Sequence, residues 1–380
     1  MYTLSSDFTI STFLKEYWQK KPLVIRQGFT TFVDPIDEHD LAGLAQEEDV
    51  DSRIVSLHDD GQWQVHHGPF SDYETVCQGK WTLLVQGVDR YSDDINALME
   101  AFNFIPYWRM DDVMISYAVD GAGVGPHTDQ YDVFLVQGKG KRAWRVGVPG
   151  NYTPHYPHKD LQQINDFEAQ IDVVLAPGDI LYIPPGWPHD GQALQDCLTY
   201  SVGFRAPEQH QILQHVTDEL TSGLKQGLRY SDPNLSQPRH PALITSTELS
   251  ALRGMLSDLL ASTDCDNALM SLLSTQHLPD TDIGILVTTD EISAYIEEGG
   301  LITRTPGCKP VFSEHQTDSD FTFYVNGEAF TTPSSLKELL WEILKGEPVD
   351  NTMFINSDDK ASLLNLLAQL INHGYWEMSD

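Results

Sequence analysis

The chain has 380 residues, with 23 Lys plus Arg against 56 Asp plus Glu, a formal charge of −33 at neutral pH. That length predicts two or three domains, and 41% hydrophobic with 10% aromatic residues is enough to build a substantial core. The acidic balance argues against a general binder of nucleic acid or anionic membrane, which needs clustered Lys and Arg. A cationic partner is the natural complement, although the same acidity also fits a proteome-wide solubility trait.

Cys77, Cys197, Cys265 and Cys308 form no CxxC pair, so neither a zinc knuckle nor a disulfide framework is expected, and a reducing cytoplasm fits. The N-terminus lacks a basic start followed by an apolar run, and no stretch approaches 18 apolar residues. Secretion and membrane insertion are not expected.

In chain order, residues 11–18 (STFLKEYW) predict a helix capped by Ser11 or Thr12. Between Trp81 and Phe204 come seven β-rich runs: WTLLVQGV, DVMISYAVD, DVFLVQG, RAWRVGV, IDVVLAPG, DILYIPPG and LTYSVGF. Their Gly, Pro and Asp punctuation has the spacing of an all-β barrel or sandwich. After Arg205 the period becomes helical, with one stripe of Ile212, Leu213, Val216, Leu220 and Leu224 and another of Leu249, Leu252, Met255, Leu256, Leu259 and Leu260. Such broad apolar faces suggest packing against a second copy, with packing on their own chain as the alternative. A last segment from about Asp282 combines helical SAYIEEGG, strand-like PVFSEH, the hairpin FTFYVNGEAF and two further helices, the arithmetic of a winged helix. From Asp290 onward it holds five basic against sixteen acidic residues, so no direct DNA binding is expected and protein contact is the better reading.

Residues 101–150 hold five basic and five acidic residues, whereas residues 51–100 hold three against nine. An anionic ligand would find its counter-charge in the neutral block, among Lys139, Lys141, Arg142 and Arg145. The same block contains GVGPHTDQYDVFLVQG, in which His127 and Asp129 stand two apart and so share a face if the segment is extended. Sixty residues after Asp129, APGDILYIPPGWPHDG delivers His189, and its Gly178, Pro184, Gly186 and His189 have the spacing of the second cupin motif. Two imidazoles and one carboxylate on one face of an octahedron leave three positions open, which suits Fe(II) rather than a closed zinc site. His66–His67 and the pair His155 and His158 lie in turn-rich text and make weaker ligand candidates.

Together with YSVGFRAP, FLKEYWQKKPLVIR and the final NHGYW, these motifs resemble the JmjC-type 2-oxoglutarate oxygenases, specifically the bacterial ribosomal oxygenases, over nearly the whole chain. The resemblance implies an α+β chain. Its parts are a double-stranded β-helix (the cupin or JmjC barrel) in residues 1–205, a helical dimerisation segment in 206–280 and a winged helix in 281–380. It places the iron ligands on His127, Asp129 and His189, and the residue for the distal carboxylate of 2-oxoglutarate on Arg142. Strand parity agrees, since Arg142 and Trp144 share one face and Lys141 and Arg145 the other. Ser116 and Thr199 are the expected hydroxyl contacts to the co-substrate.

The resemblance further implies Fe(II) and 2-oxoglutarate as cofactor and co-substrate, a homodimer, and hydroxylation of an arginine β-carbon in a basic large-subunit ribosomal protein. Two other readings stay open from the residues. One is a metal-dependent cupin enzyme without 2-oxoglutarate; the other is a non-catalytic scaffold of barrel and winged helix.

Overall fold

The computed structural model describes residues 2–223, 228–237, 239–279, 286–317, 319–357 and 359–379. Strands β1 (Leu23–Ile25), β2 (Ser52–Leu57), β3 (Trp63–His67), β4 (Lys80–Val85), β5 (Met110–Ala118), β6 (Asp132–Gln137), β7 (Arg142–Val146), β8 (Pro154–His158), β9 (Leu161–Ile164), β10 (Ile171–Leu175), β11 (Ile180–Ile183), β12 (His189–Ala193) and β13 (Cys197–Phe204) build the first half. Eight of them form one sheet in the order β1-β11-β6-β13-β5-β4-β2-β3, faced by a second sheet β10-β7-β12. The seven expected runs fall on β4, β5, β6, β7, β10, β11 and β13.

Strands β6, β11 and β13 are buried along their whole length, because both faces of the large sheet are covered. Their outward residues, among them Phe134, Val136, Tyr182, Tyr200 and Val202, join Phe13 of helix α1 (Ile10–Glu16), Leu41 of α2 (Glu38–Leu44) and Leu98 in one core. The inward Val133, Leu135, Leu181 and Ile183 pack on Trp144, Val146 and Leu175 of the small sheet. Helix α1 begins earlier than expected. Thr9 is its N-cap with no side-chain cap bond, so Ser11 and Thr12 lie in the first turn, and burial of Phe13 edge-on against Tyr182 at 4.8 Å holds the helix instead.

Short helices α3 (Tyr73–Val76) and α4 (Asp93–Glu100) complete the barrel, and α5 (Gln209–Gly223), α6 (Ser246–Leu260) and α7 (Thr263–Ser274) follow it. Val216 and Leu220 of α5 bury against Cys265 and Ala268 of α7, so part of the first stripe packs on its own chain. Leu224 lies outside the described residues. Helix α6, held at its start by the Thr245–Glu248 capping box, keeps Leu249, Leu252, Leu256 and Leu260 between 42% and 57% exposed.

The last part contains α8 (Thr289–Glu297), β14 (Leu301–Arg304), the hairpin β15 (Asp320–Val325) and β16 (Glu328–Pro333), α9 (Lys337–Lys345), α10 (Asn351–Ile355), α11 (Lys360–Asn372) and β17 (Trp376–Ser379), which pairs with β14. Asn326 and Gly327 both take positive φ, 47° and 84°, as a two-residue hairpin turn requires. PVFSEH is not a strand; only Val311 makes a single bridge, to Tyr324. Between this part and the barrel, Lys309 Nζ donates to Asp89 Oδ2 at 3.1 Å and to the Asp111 carbonyl at 3.2 Å, with both charged side chains buried.

Candidate active site

His127 sits in the loop between β5 and β6, and His189 opens β12. Their backbones exchange two hydrogen bonds, His127 N to His189 O at 3.0 Å and the reverse at 2.9 Å, which closes the distance between two motifs far apart in sequence. The Nδ1–H of His127 donates to the Gly125 carbonyl at 2.9 Å and that of His189 to the Trp187 carbonyl at 3.0 Å. A carbonyl can only accept, so each ring is held in one tautomer with Nε2 turned toward Asp129. The two Nε2 atoms lie 3.9 Å and 3.4 Å from Asp129 Oδ2. All three donor atoms fall within 4.8 Å of one another, as no other His, Cys, Asp or Glu trio does among the described residues.

Electrostatics favour a cation there. Burial raises the Asp129 carboxyl, but the His189 hydrogen bond and the imidazole charges outweigh it and bring its pKa to about 2. Burial, followed by the charge of His189, drives His127 down to about 4. Burial also opposes charge on His189, yet its hydrogen bond to Asp129 leaves that imidazole raised above its ordinary value. A metal would displace that proton and take its place. With two N donors, one O donor and no fourth protein ligand, the set fits an open octahedral site.

A cavity of about 380 Å³ runs from these ligands to Arg142, lined on the way by Ser116, Trp144 and Thr199. All six residues expected from the sequence therefore meet in one place. Arg142 is 4% exposed and lies over the Trp144 ring at 4.9 Å, while Lys141 faces solvent. The guanidinium donates to Ser116 Oγ at 3.1 Å, Thr199 Oγ1 at 3.4 Å and the Gly191 carbonyl at 3.3 Å. No carboxylate among the described residues lies within ion-pair distance of it. Arg142 Nε, Trp144 Nε1 and Thr82 Oγ1 are buried there without a hydrogen-bond partner. A buried cation at one end, a chelating face at the other and orphaned donors between them fit a small dianion with a metal-binding head.

The sequence reading missed Thr82, Arg53, Met114, Tyr131 and Ser201, and the Asp160–Gln162 edge of the β8–β9 hairpin, all of which line the cavity. Inward parity on a recognised strand was the available signal for Thr82, Met114 and Ser201. His67 and His158, set aside as ligands, lie 3.4 Å and 3.9 Å from Asp160 on that rim.

The barrel, the His127–Asp129–His189 face and the buried arginine define a JmjC-type oxygenase fold, and the family described as JmjC domain matches residues 97–212. The ROXA-like winged helix family matches residues 233–377. Ribosomal protein uL16 3-hydroxylase of Escherichia coli (strain K12) is 41% identical over 367 residues, covering 96% of each chain. A probable ribosomal oxygenase of Haemophilus influenzae is 34% identical, over 92% of this chain and 89% of its own. The X-ray structure of E. coli ycfD superposes with a TM-score of 0.90 at 40% identity, covering 100% of both chains. The structure of that ribosomal oxygenase in complex with cobalt and 2-oxoglutarate does so at 0.87 and 39%, again over 100% of both. The chain belongs to the ribosomal oxygenase family.

Proposed function

We propose that this chain is a 2-oxoglutarate- and O2-dependent Fe(II) oxygenase that hydroxylates the β-carbon of an arginine side chain in the large-subunit ribosomal protein uL16. The observation that carries the reading is the arrangement of the three-donor face and Arg142 at opposite ends of one cavity. His127, Asp129 and His189 would hold the metal, and Arg142 with Ser116 and Thr199 would hold the distal carboxylate. When bound, Fe(II) would supply the redox chemistry by which dioxygen gives one oxygen atom to 2-oxoglutarate, yielding succinate and CO2, and the other to the substrate C–H bond, yielding the hydroxyl.

The chain's own residues supply position. The Gly125 and Trp187 carbonyls aim both imidazoles, and the low pKa of Asp129 keeps its carboxylate ionised throughout the physiological range. A planar guanidinium grips a carboxylate through two parallel bonds and so sets the co-substrate's direction along the cavity. Val133, Leu135, Leu84 and Trp144 keep water from its walls. Tyr131, Ser201 and the Asp160 rim, on the metal side, are where a substrate side chain would enter.

The acidity of the chain complements a basic ribosomal protein, whose site of action makes the cytoplasm the expected location. The exposed Leu249, Leu252, Leu256 and Leu260 face of α6 supports a homodimer, and the division at 205 and 280 separates barrel, helical segment and winged helix. The test begins with an anaerobic titration of Fe(II) and 2-oxoglutarate, following the visible chelate band, and continues with mass spectrometry of recombinant uL16 after aerobic turnover. His127→Ala and His189→Ala should abolish both iron retention and the added oxygen, with Asp129→Ala close behind. Full turnover with stoichiometric iron in all three variants would overturn the ligand assignment.

A further inference from the structure

Strand β4 alternates. Leu83 and Val85 face the helical core, while Thr82 and Leu84 face the cavity. In the ladder Thr82 stands opposite Ala118 and Leu84 opposite Ser116 of β5, and Ser116 in turn stands opposite Thr199 of β13. Thr82 is thus the diagonal neighbour of Ser116, a separation of about 7–8 Å between α-carbons. Three hydroxyls, from three adjacent strands, line one wall beside Arg142.

Two of the three are already engaged. The Ser116 and Thr199 oxygens accept from the guanidinium, which leaves each O–H hydrogen free to point onward. Thr82 differs, being 0% exposed with Oγ1 bonded to nothing among the described residues. Its ladder neighbour on β2 is Val55, and Leu84 follows it on the wall, so neither offers an acceptor. A valine would fill the same volume without burying an unsatisfied hydroxyl. The hydroxyl is explained by a guest that accepts from it.

We infer that Thr82 is a further positioning residue for the co-substrate, its hydroxyl donating to the distal carboxylate of 2-oxoglutarate beside Arg142. The inference rests on the reading that 2-oxoglutarate occupies this cavity. A carboxylate oxygen has lone pairs to spare after a bidentate contact with the guanidinium, and a hydroxyl bond to a charged acceptor is among the stronger kind. Thr82 then adds a third hydroxyl, from β4, to the contacts that Ser116 and Thr199 make with that carboxylate beside Arg142.

The full-length Fe(II) protein is titrated anaerobically with 2-oxoglutarate and with 2-oxopentanoate, which keeps the chelating end but carries a methyl group in place of the distal carboxylate. Thr82→Val should raise the Kd for 2-oxoglutarate about tenfold and leave that for 2-oxopentanoate unchanged, while Thr82→Ser retains wild-type affinity. Without co-substrate, Thr82→Val should melt at or above the wild-type temperature, because the unsatisfied hydroxyl is gone. Unchanged affinity for 2-oxoglutarate, equal losses for both ligands, or a lower melting temperature without ligand would each overturn the inference. Should the valine variant fail to fold, Thr82→Ala carries the same comparison. A wild-type protein with no chelate band would instead sink the underlying reading of the cavity.

Discussion

Replacing Arg142 with methionine tests the proposed co-substrate site in two directions at once. In the free protein this guanidinium is buried among neutral acceptors, two hydroxyls and the Gly191 carbonyl, with no carboxylate in ion-pair range. Such a charge is retained at a cost. Methionine keeps the length of the stem and removes the charge, so the free variant should melt no lower than wild type. Binding should suffer. A charge-assisted bidentate contact contributes about 1.5–3 kcal/mol, and each 1.4 kcal/mol is about tenfold, so the Kd for 2-oxoglutarate should rise roughly 10- to 100-fold. Ligand stabilisation follows RT ln(1 + [L]/Kd), which is about 2.7 kcal/mol at 100 times the wild-type Kd; at the same concentration the variant should retain only about 0.4–1.4 kcal/mol. The assay is thermal melting of the metal-loaded protein with and without 2-oxoglutarate, alongside the chelate titration. Arg142→Lys should recover part of the loss, since charge remains but the fork does not. Lys141→Ala, on the solvent side of the strand, is the control. A damaging Lys141→Ala with a silent Arg142→Met would mean that the cavity is read from the wrong face.

Leu256→Glu with Leu260→Glu should give a folded monomer by sedimentation, because an interface cannot bury two unpaired carboxylates cheaply; a variant that still sediments as a dimer places the interface elsewhere. Buried Asp112 takes hydrogen bonds from Gln86 and the Gly87 amide, yet burial, reinforced by the charges of Asp89 and Asp111, pushes its pKa up from 3.8 to about 6. The folded state then holds this proton more tightly than the unfolded state. Its contribution is full below pH 4, declines as pH rises to about 6 and is flat above, a span of about 3 kcal/mol. Asp112→Asn should flatten that part of the urea-midpoint profile and stabilise the protein at pH 7; parallel profiles for the two proteins would refute the assignment.

Much of this was legible because the informative strands are buried on both faces. Runs such as DVFLVQG and LTYSVGF carry mostly apolar or β-branched text between turn residues, and the metal motifs flank DVFLVQG and DILYIPPG. The hairpin β2–β3 was not legible. Its strands SRIVSL and WQVHH put Ser, Arg, Gln and His between the apolar positions. Ser52 and Ser56 are buried while Arg53, Gln64 and His67 are exposed, so polarity does not follow burial there, yet the hairpin contributes Arg53 and Val55 to the cavity. The β8–β9 rim was hidden by Pro154 and Pro157 and by exposure of the first four residues of β8; proline is tolerated there because the pair stands as a separate two-stranded ribbon. Helix α7 escaped notice because its first turn reads TDCDN, a capping sequence with little apolar periodicity. Thr82 was on a recognised strand, but a lone threonine carries no mark in sequence that distinguishes a working hydroxyl from a β-branched wall residue.

The Lys309–Asp89 pair bears on modularity. Asp89 also fixes the start of the barrel's long strand by accepting the Val113 amide at 2.8 Å, so the carboxylate that anchors the barrel is neutralised by a lysine more than two hundred positions downstream. A barrel truncated before that lysine keeps the acid and loses its counter-ion, and losing one partner of a buried pair typically costs about 3–5 kcal/mol. That is a large share of a domain's margin of stability. Cutting the chain to obtain a minimal catalytic fragment would therefore weaken the part it was meant to isolate, and a graft of this winged helix onto another barrel would have to bring a matching acid with it.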